Sequence, residues 1–220
     1  MMKWFERIIG SAVAVMSFSL YVINTIFWSL PIFVLSIFKL IPIDVFRKFI
    51  SWILDACATG WVTVNSGIQV LFSRMKIKVS GNLELSEKDW YLVLSNHQSW
   101  VDIVILQRTF NGKIPFLKFF LKEQLRYVPV LGLAWWALDF PFMKRYTKSQ
   151  LAKNPHLKGK DLETTKRSCE KFKYKPVSVM NFIEGTRFTA AKHQKQNSPF
   201  TGLLKPKSGG IGFVLTVMGE

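Results

Sequence analysis

The chain is poor in cysteine, histidine and acid. Two cysteines, Cys57 and Cys169, and three histidines in 220 residues exclude a disulfide framework and show no spacing of the kind that holds zinc. A reducing compartment is the default, and no metal or resident cofactor is expected. Fourteen Asp and Glu stand against 30 Lys and Arg, for a formal net charge of +16, so the surface suits an anionic partner. The chain has no G-x-S-x-G sequence, which removes the nucleophile elbow of the α/β-hydrolases. It has no RNP pattern and no basic helix with regular groove-reading residues, and nucleic acid is not the expected partner. Internal repeats and extended low-complexity tracts are also missing.

Apolar sequence is abundant at the N-terminus. From Ile8 to Phe38 run 31 residues without a charged side chain, more than the roughly 20 that span a hydrocarbon core. The run exceeds the 7 to 15 residues typical of a signal-peptide core and has no small-residue cleavage site, so a membrane segment is favoured over a cleaved leader. Pro31 is expected either to separate a spanning helix from an interfacial one or to mark the bend of a re-entrant hairpin. Lys3 and Arg7 lie on one side, and Lys39, Arg47 and Lys48 on the other, so positive charge does not choose one topology. A second apolar stretch, Phe49 to Phe72, is interrupted by Asp55 and reads as a membrane-surface or core-packing helix. Residues 1–74 are therefore assigned to an N-terminal membrane-anchoring segment. Much of the basic charge comes later: Lys144 to Lys175 holds eleven Lys or Arg against three acids. Anionic lipid head groups beside a hydrophobic anchor explain this simply, and Gly159 to Lys173 also reads as a solvated amphipathic helix.

Two stretches carry chemistry. In WYLVLSNHQSWVD, Trp90 to Asp102, a strand-like run ends at the turn formers Ser95 and Asn96 and delivers His97. Histidine can take a proton from a hydroxyl, and a carboxylate on its other ring nitrogen would fix the tautomer; Asp102 is the candidate. On one continuous helix a five-residue step would turn the two side chains about 140° apart. They meet only if His97 lies in the turn before a helix that begins near Ser99, a plausible N-cap. The alternative is a polar turn with a solvated histidine and a first-turn Asp favoured by the helix dipole. In the second stretch, the strand-like Val177 to Ile183 stops at Glu184, Gly185, Thr186 and Arg187. Open α/β sheets place ligands at such carboxyl ends of strands. Arg187 can grip a phosphate bidentately with help from Thr186 and backbone N–H groups; the alternative is a surface pair between Glu184 and Arg187.

Together these blocks, NHQSWVD and NFIEGTRFT, resemble the NHx4D and EGTR blocks of the PlsC-like lysophospholipid acyltransferases, whose best-known members are 1-acylglycerol-3-phosphate acyltransferases. The likeness runs from about Lys76 to the end and is greatest to a bacterial membrane-bound subgroup. LDFPFMKR, Leu138 to Arg145, is similar to the family's intermediate block ending in Arg, without its usual leading glycine. Ile183 stands where a proline often precedes EGTR. The family's last block, an apolar run around a proline, is not found before Glu220, so the domain is expected to be incomplete there. The resemblance implies acyl transfer from acyl-CoA or acyl-carrier protein to the free hydroxyl of a lysophospholipid, converting lysophosphatidic acid to phosphatidic acid. It implies His97 and Asp102 as catalytic residues, and Glu184, Gly185, Thr186, Arg187 and Arg145 as substrate-binding residues. The implied setting is the bacterial inner membrane, with membrane lipid as neighbour and the site facing the cytoplasm.

Candidate strands at 75–79, 90–94, 114–117, 140–143 and 177–183 alternate with helical stretches at 99–110, 118–127 and 160–174, predicting one α/β domain over residues 75–220 behind the membrane segment. Two rival functions remain. A membrane-bound thioesterase or lipase would use the same His-Asp pair, with Ser99 as the nearest hydroxyl. A non-enzymatic basic protein would simply bind the membrane.

Overall fold

In the computed structural model, the residues described are 2–73, 75–81, 84–143 and 175–208, with isolated positions at 153, 154, 163, 169, 172, 211, 212, 214 and 215. Arg145, His156 and most of the expected helix at 160–174 lie outside them.

Two long helices come first, α1 (Met2–Phe38) and α2 (Asp44–Phe72). They pair antiparallel: the Asn24 amide donates to Asn65 Oδ1 at 2.8 Å, the Trp61 indole donates to Thr25 Oγ1 at 3.1 Å, and Trp28 lies on Gly60. The contact face of α1 thus carries polar side chains, Asn24 and Thr25, beside Trp28. Its other face is apolar and open, with Phe18, Ile26, Leu30, Val34 and Ile37 all exposed. Arg7–Phe38 is long and apolar enough to cross a membrane. Pro31 does not break this helix, contrary to expectation. A proline removes one backbone donor, and a neighbouring helix can hold the turn together where only one bond is lost; at this level Ile32 is buried in the core that α1 shares with α2.

The α/β part follows. Strand β1 (Tyr91–Ser95) leads through α3 (Val101–Phe110) to β2 (Leu117–Phe119), then to β3 (Leu121–Lys122), a 3-10 turn at Glu123–Tyr127, α4 (Leu131–Ala137), β4 (Phe142–Met143), β5 (Ser178–Phe182) and α5 (Ala190–Gln196). The main sheet is parallel with order β1-β5-β2, and β3 pairs with β4. β5 is central and reads SVMNF, with Ser178, Val179 and Met180 buried, the pattern of a strand covered on both faces. Its register with β1 sets Ser95 opposite Phe182. Both chains therefore leave the sheet at the same edge.

Three expectations need correction. Residues 75–79 form no strand; Met75 and Val79 are exposed, and among the described residues no strand pairs with them. The strand expected at 114–117 begins at Leu117. The helix expected at 118–127 is replaced by β2, β3 and the 3-10 turn, because pairing with β5 and β4 overrides a weak local preference.

The hairpin and the sheet share one core. Ile32, Ile50, Leu54 and Ala58 pack in the same cluster as Ile114, Leu117, Phe119 and Met180. An ionic cluster ties them further. Asp55 bonds Lys118 Nζ through Oδ1 at 3.1 Å and Lys175 Nζ through Oδ2 at 2.6 Å. Lys118, 1% exposed, also donates to the Leu138 carbonyl at 2.7 Å. Lys39, at the end of α1, pairs with Asp139 and donates to the Ala137 carbonyl. Burial lowers the Lys175 pKa, as does the nearby Lys118 charge, while Asp55 and Asp139 oppose the shift. Asp55, the interruption in an apolar helix, is thus the anion between a fully buried cation, Lys118, and a partly buried one, Lys175. Removing one partner of such a group leaves uncompensated charge. Asp55→Asn should lower stability by about 3 kcal/mol, measured by denaturant unfolding in micelles; an unchanged midpoint would remove the cluster's importance.

Candidate active site

The site grows from the shared exit edge of β1 and β5. The Ile183 N–H donates to the Ser95 carbonyl at 3.1 Å, extending the ladder one step past the strands. His97 stands two residues beyond Ser95, and Glu184 one beyond Ile183. Glu184 is fully buried, and its carboxylate accepts from the His97 backbone N–H at 2.7 Å through Oε1 and from the Leu204 N–H at 2.9 Å through Oε2. The Phe188 N–H closes the arrangement by donating to the His97 carbonyl at 2.7 Å. Both oxygens of Glu184 are thus engaged by backbone; it makes no pair with Arg187 and holds the turn that carries His97. The sequence assigns Glu184 to substrate binding; in the structure its carboxylate positions the backbone of His97 and Leu204.

His97 and Asp102 are brought together. Nδ1 of His97 lies 2.9 Å from Asp102 Oδ2, and the same oxygen accepts from the backbone N–H groups of Gln98 at 2.6 Å and Ser99 at 2.8 Å. Ser99 returns a bond, its hydroxyl accepting from the Val101 N–H at 3.1 Å. The N-cap of α3 is Trp100 rather than the expected Ser99, and it makes no side-chain cap bond; the bonds of Ser99, one residue earlier, fold the five-residue step back on itself. Burial alone would raise the Asp102 carboxyl, but the bonds from the Ser99 N–H, His97, the Gln98 N–H and the Ser99 hydroxyl outweigh it and hold the pKa below its usual value. With the carboxylate ionised, Nδ1 carries the proton and the lone pair of neutral His97 lies on Nε2. The imidazole stacks on Phe182, centroids 3.9 Å apart and planes 14° apart, which fixes its plane. Its side chain is 12% exposed.

Beside it lies the Gly185-Thr186-Arg187 turn. Gly185 has φ 66°, the left-handed region that disfavours any side chain. A Cβ there would also meet Lys207 Cδ at 3.3 Å. Arg187 is exposed, its guanidinium 4.3 Å over the Trp100 ring. Lys192 Nζ donates to Thr186 Oγ1 at 2.8 Å and to the Arg187 carbonyl at 2.9 Å. Trp100, Lys192 and Lys207 were not singled out from sequence. Lys192 alone left a trace: Thr189 caps α5 by accepting from the Lys192 N–H, and a Thr before AAKHQKQ signals a helix whose third residue faces back toward the cap. His193 is not part of the site; its Nε2 contacts the Phe200 carbonyl.

His97 and the 185–187 turn open into a cavity of about 1050 Å³. Phe116, Phe119, Phe140, Met180 and Phe182 line one side, and α1 and α2 the other. The size falls at the upper end of ligand cavities. Among the described residues, no three of His, Cys, Asp and Glu converge to hold a metal ion.

Two outcomes test this geometry. Glu184→Gln puts an amide where two backbone donors point, leaving one N–H unsatisfied; it should cost about 1 to 3 kcal/mol in thermal unfolding. For Asp102, whose folded pKa is depressed, the stabilising contribution is complete above its unfolded value, about pH 4, and is lost as pH falls through the folded value. The stability gap between wild type and Asp102→Asn should therefore persist from neutral pH to about pH 4 and close only below it. A gap that closes near pH 6 would contradict the assignment.

A sequence profile of the acyltransferase family matches residues 76–216. The 1-acyl-sn-glycerol-3-phosphate acyltransferase 3 of Arabidopsis thaliana is 32% identical over 116 residues, 50% of this chain and 27% of the plant protein. The 1-acyl-sn-glycerol-3-phosphate acyltransferase of Saccharomyces cerevisiae is 32% identical over 130 residues, 58% of this chain and 38% of the yeast protein. Each match takes in less than half of the relative's length. Among solved structures, the 1-acyl-sn-glycerophosphate acyltransferase PlsC from Thermotoga maritima aligns over 90% of this chain and 71% of that one, with 18% identity and a TM-score of 0.41. The profile match covers more than half of the chain and takes in both the His97–Asp102 pair and the 184–187 turn, and by it the chain belongs to the acyltransferase family.

Proposed function

We propose that the protein transfers a fatty acyl group from acyl-CoA or acyl-carrier protein to the free hydroxyl of a lysophospholipid, turning lysophosphatidic acid into phosphatidic acid. The observation that carries the reading is the His97–Asp102 pair at 2.9 Å facing a cavity that joins the 185–187 turn to an apolar interior. In this mechanism His97 Nε2 takes the acceptor's hydroxyl proton as the oxygen attacks the thioester carbonyl. The C–S bond breaks as the ester forms, and His97 returns the proton to the leaving thiolate. Asp102 stays ionised and stabilises the imidazolium. Arg187 holds the acceptor phosphate with Gly185 and Thr186, and Lys192 keeps the turn in shape; Arg145 adds a second contact. Holding both reactants together supplies several kcal/mol of the rate effect. The donor is a co-substrate, and the chemistry calls for neither metal nor resident cofactor.

A thioesterase or lipase with Ser99 as nucleophile is disfavoured: its hydroxyl is tied to the Val101 N–H and to Asp102 Oδ1 at 3.3 Å, with no bond to His97. The apolar exterior of α1 fits a lipid bilayer, and in this reading the protein sits in the bacterial inner membrane with the cavity reached from the cytoplasm.

Steady-state kinetics separate the roles. His97→Ala should lower kcat at least about a hundredfold with folding retained. Arg187→Ala should act mainly through KM for lysophosphatidic acid and much less for an uncharged monoacylglycerol, and Arg187→Lys should recover part of the loss. Near-normal turnover of folded His97→Ala would reject the mechanism; equal damage to both acceptors would remove Arg187 from phosphate binding.

A further inference from the structure

Trp100 contributes little to the fold. It stands at the N-cap of α3, a position that favours short polar side chains able to bind the first free N–H groups, and it makes no such bond. Ser99 and Asp102 carry those bonds instead. The side chain is not buried either: Trp100 is 66% exposed, on the wall of the cavity that also holds His97 and the 185–187 turn. An indole left open at a helix start gains little from the hydrophobic effect.

What the indole does hold is Arg187, whose guanidinium carbon lies 4.3 Å from the ring centroid. The Phe188 N–H bond to the His97 carbonyl, at 2.7 Å, sets the two segments level and so brings these side chains together. Among the described residues no carboxylate pairs with Arg187 and no acceptor takes its side-chain N–H groups. The kind of partner matters. A carboxylate would occupy the fork of donors with which a guanidinium grips phosphate. An aromatic face attracts the cation through its π system and leaves the N–H edge open. The backbone of the same residue is held separately, its carbonyl accepting from Lys192 Nζ at 2.9 Å.

We infer that Trp100 is a positioning residue for the acceptor phosphate: it holds the Arg187 guanidinium by its face, so that phosphate binds at the N–H edge without first ordering a long side chain. The inference rests on the proposed phosphate role of Arg187. It gives the first sequence block a part in recognition as well as in proton transfer, since a residue between Ser99 and Asp102 prepares the arginine of the second block. Ordering one such side chain costs a complex up to about tenfold in affinity, and a cation–π contact at an open position is of similar size.

The experiment is equilibrium binding of dispersed short-chain lysophosphatidic acid, and of the matching monoacylglycerol, to folded detergent-solubilised protein without acyl donor. The proteins are wild type, Trp100→Ala, Trp100→Leu, Trp100→Phe, Arg187→Ala and the double Ala variant. Trp100→Ala should weaken lysophosphatidic acid binding by about three- to tenfold and monoacylglycerol binding much less. Trp100→Leu, apolar without a π face, should match Trp100→Ala, and Trp100→Phe should recover part of the loss. Once Arg187 is Ala, removing the indole should cost lysophosphatidic acid nothing further. In steady-state turnover the Trp100→Ala loss should fall on KM. Wild-type affinity in folded Trp100→Ala, full recovery by Leu, equal losses for the two lipids, an undiminished loss in the Arg187→Ala background, or a loss confined to kcat would each overturn the inference. A wild type that prefers lysophosphatidic acid to monoacylglycerol yet transfers no acyl group would reject the proposed reaction, and the binding cycle would still decide the role of Trp100. A wild type that binds the two lipids alike would remove phosphate from Arg187 and the inference with it.

Discussion

One buried carboxylate holds the site together. Glu184 follows the central strand, and its oxygens take the backbone N–H of His97 from one segment and of Leu204 from another. A buried carboxyl group is tolerated where such donors replace the water it has lost. Those donors belong to chain that would otherwise wander, and the exchange fixes the height of the histidine relative to the 185–187 turn. The parallel register, Ser95 opposite Phe182, brings the two exits level; Glu184 keeps them level after the ladder ends.

Asp102 repeats the device on a smaller scale. A single oxygen gathers two backbone N–H groups and the imidazole, so one side chain starts a helix and sets a tautomer at once. Asp55 repeats it again with side-chain cations in place of amides. The chain has few acids, and three of them serve as convergence points for segments distant in sequence. Most of the remaining charge is positive, with 30 Lys and Arg against 14 Asp and Glu.

Legibility from sequence followed locality. The strands at 91–95 and 178–182 and the helix at 101–110 were visible because each is a short apolar or amphipathic run bounded by turn formers. His97 and Asp102 were readable as partners once a helix start near Ser99 was supposed, since the cap that joins them spans four residues. Glu184 was visible as a residue and opaque as a role, because the N–H groups it binds lie 87 and 20 positions away. Lys118 sits in a stretch with helical preference, and its burial beside Asp55 depends on pairing with β5, which no local pattern encodes. Pro31 misled for the opposite reason: its local cost is real, and the packing that absorbs it comes from a second helix.

The apolar helix α1 has two sides with different neighbours. Its outer side is open and hydrocarbon-like, while its inner side, from Tyr21 to Ile32, forms a wall of the cavity that reaches His97. Membrane proteins answer a bilayer that is too thick or too thin by tilting their helices. In the proposed membrane setting a tilt of α1 against α2 would also change the shape of the chamber, so the thickness of the lipid around it would enter the geometry of the cavity as directly as any residue that lines it.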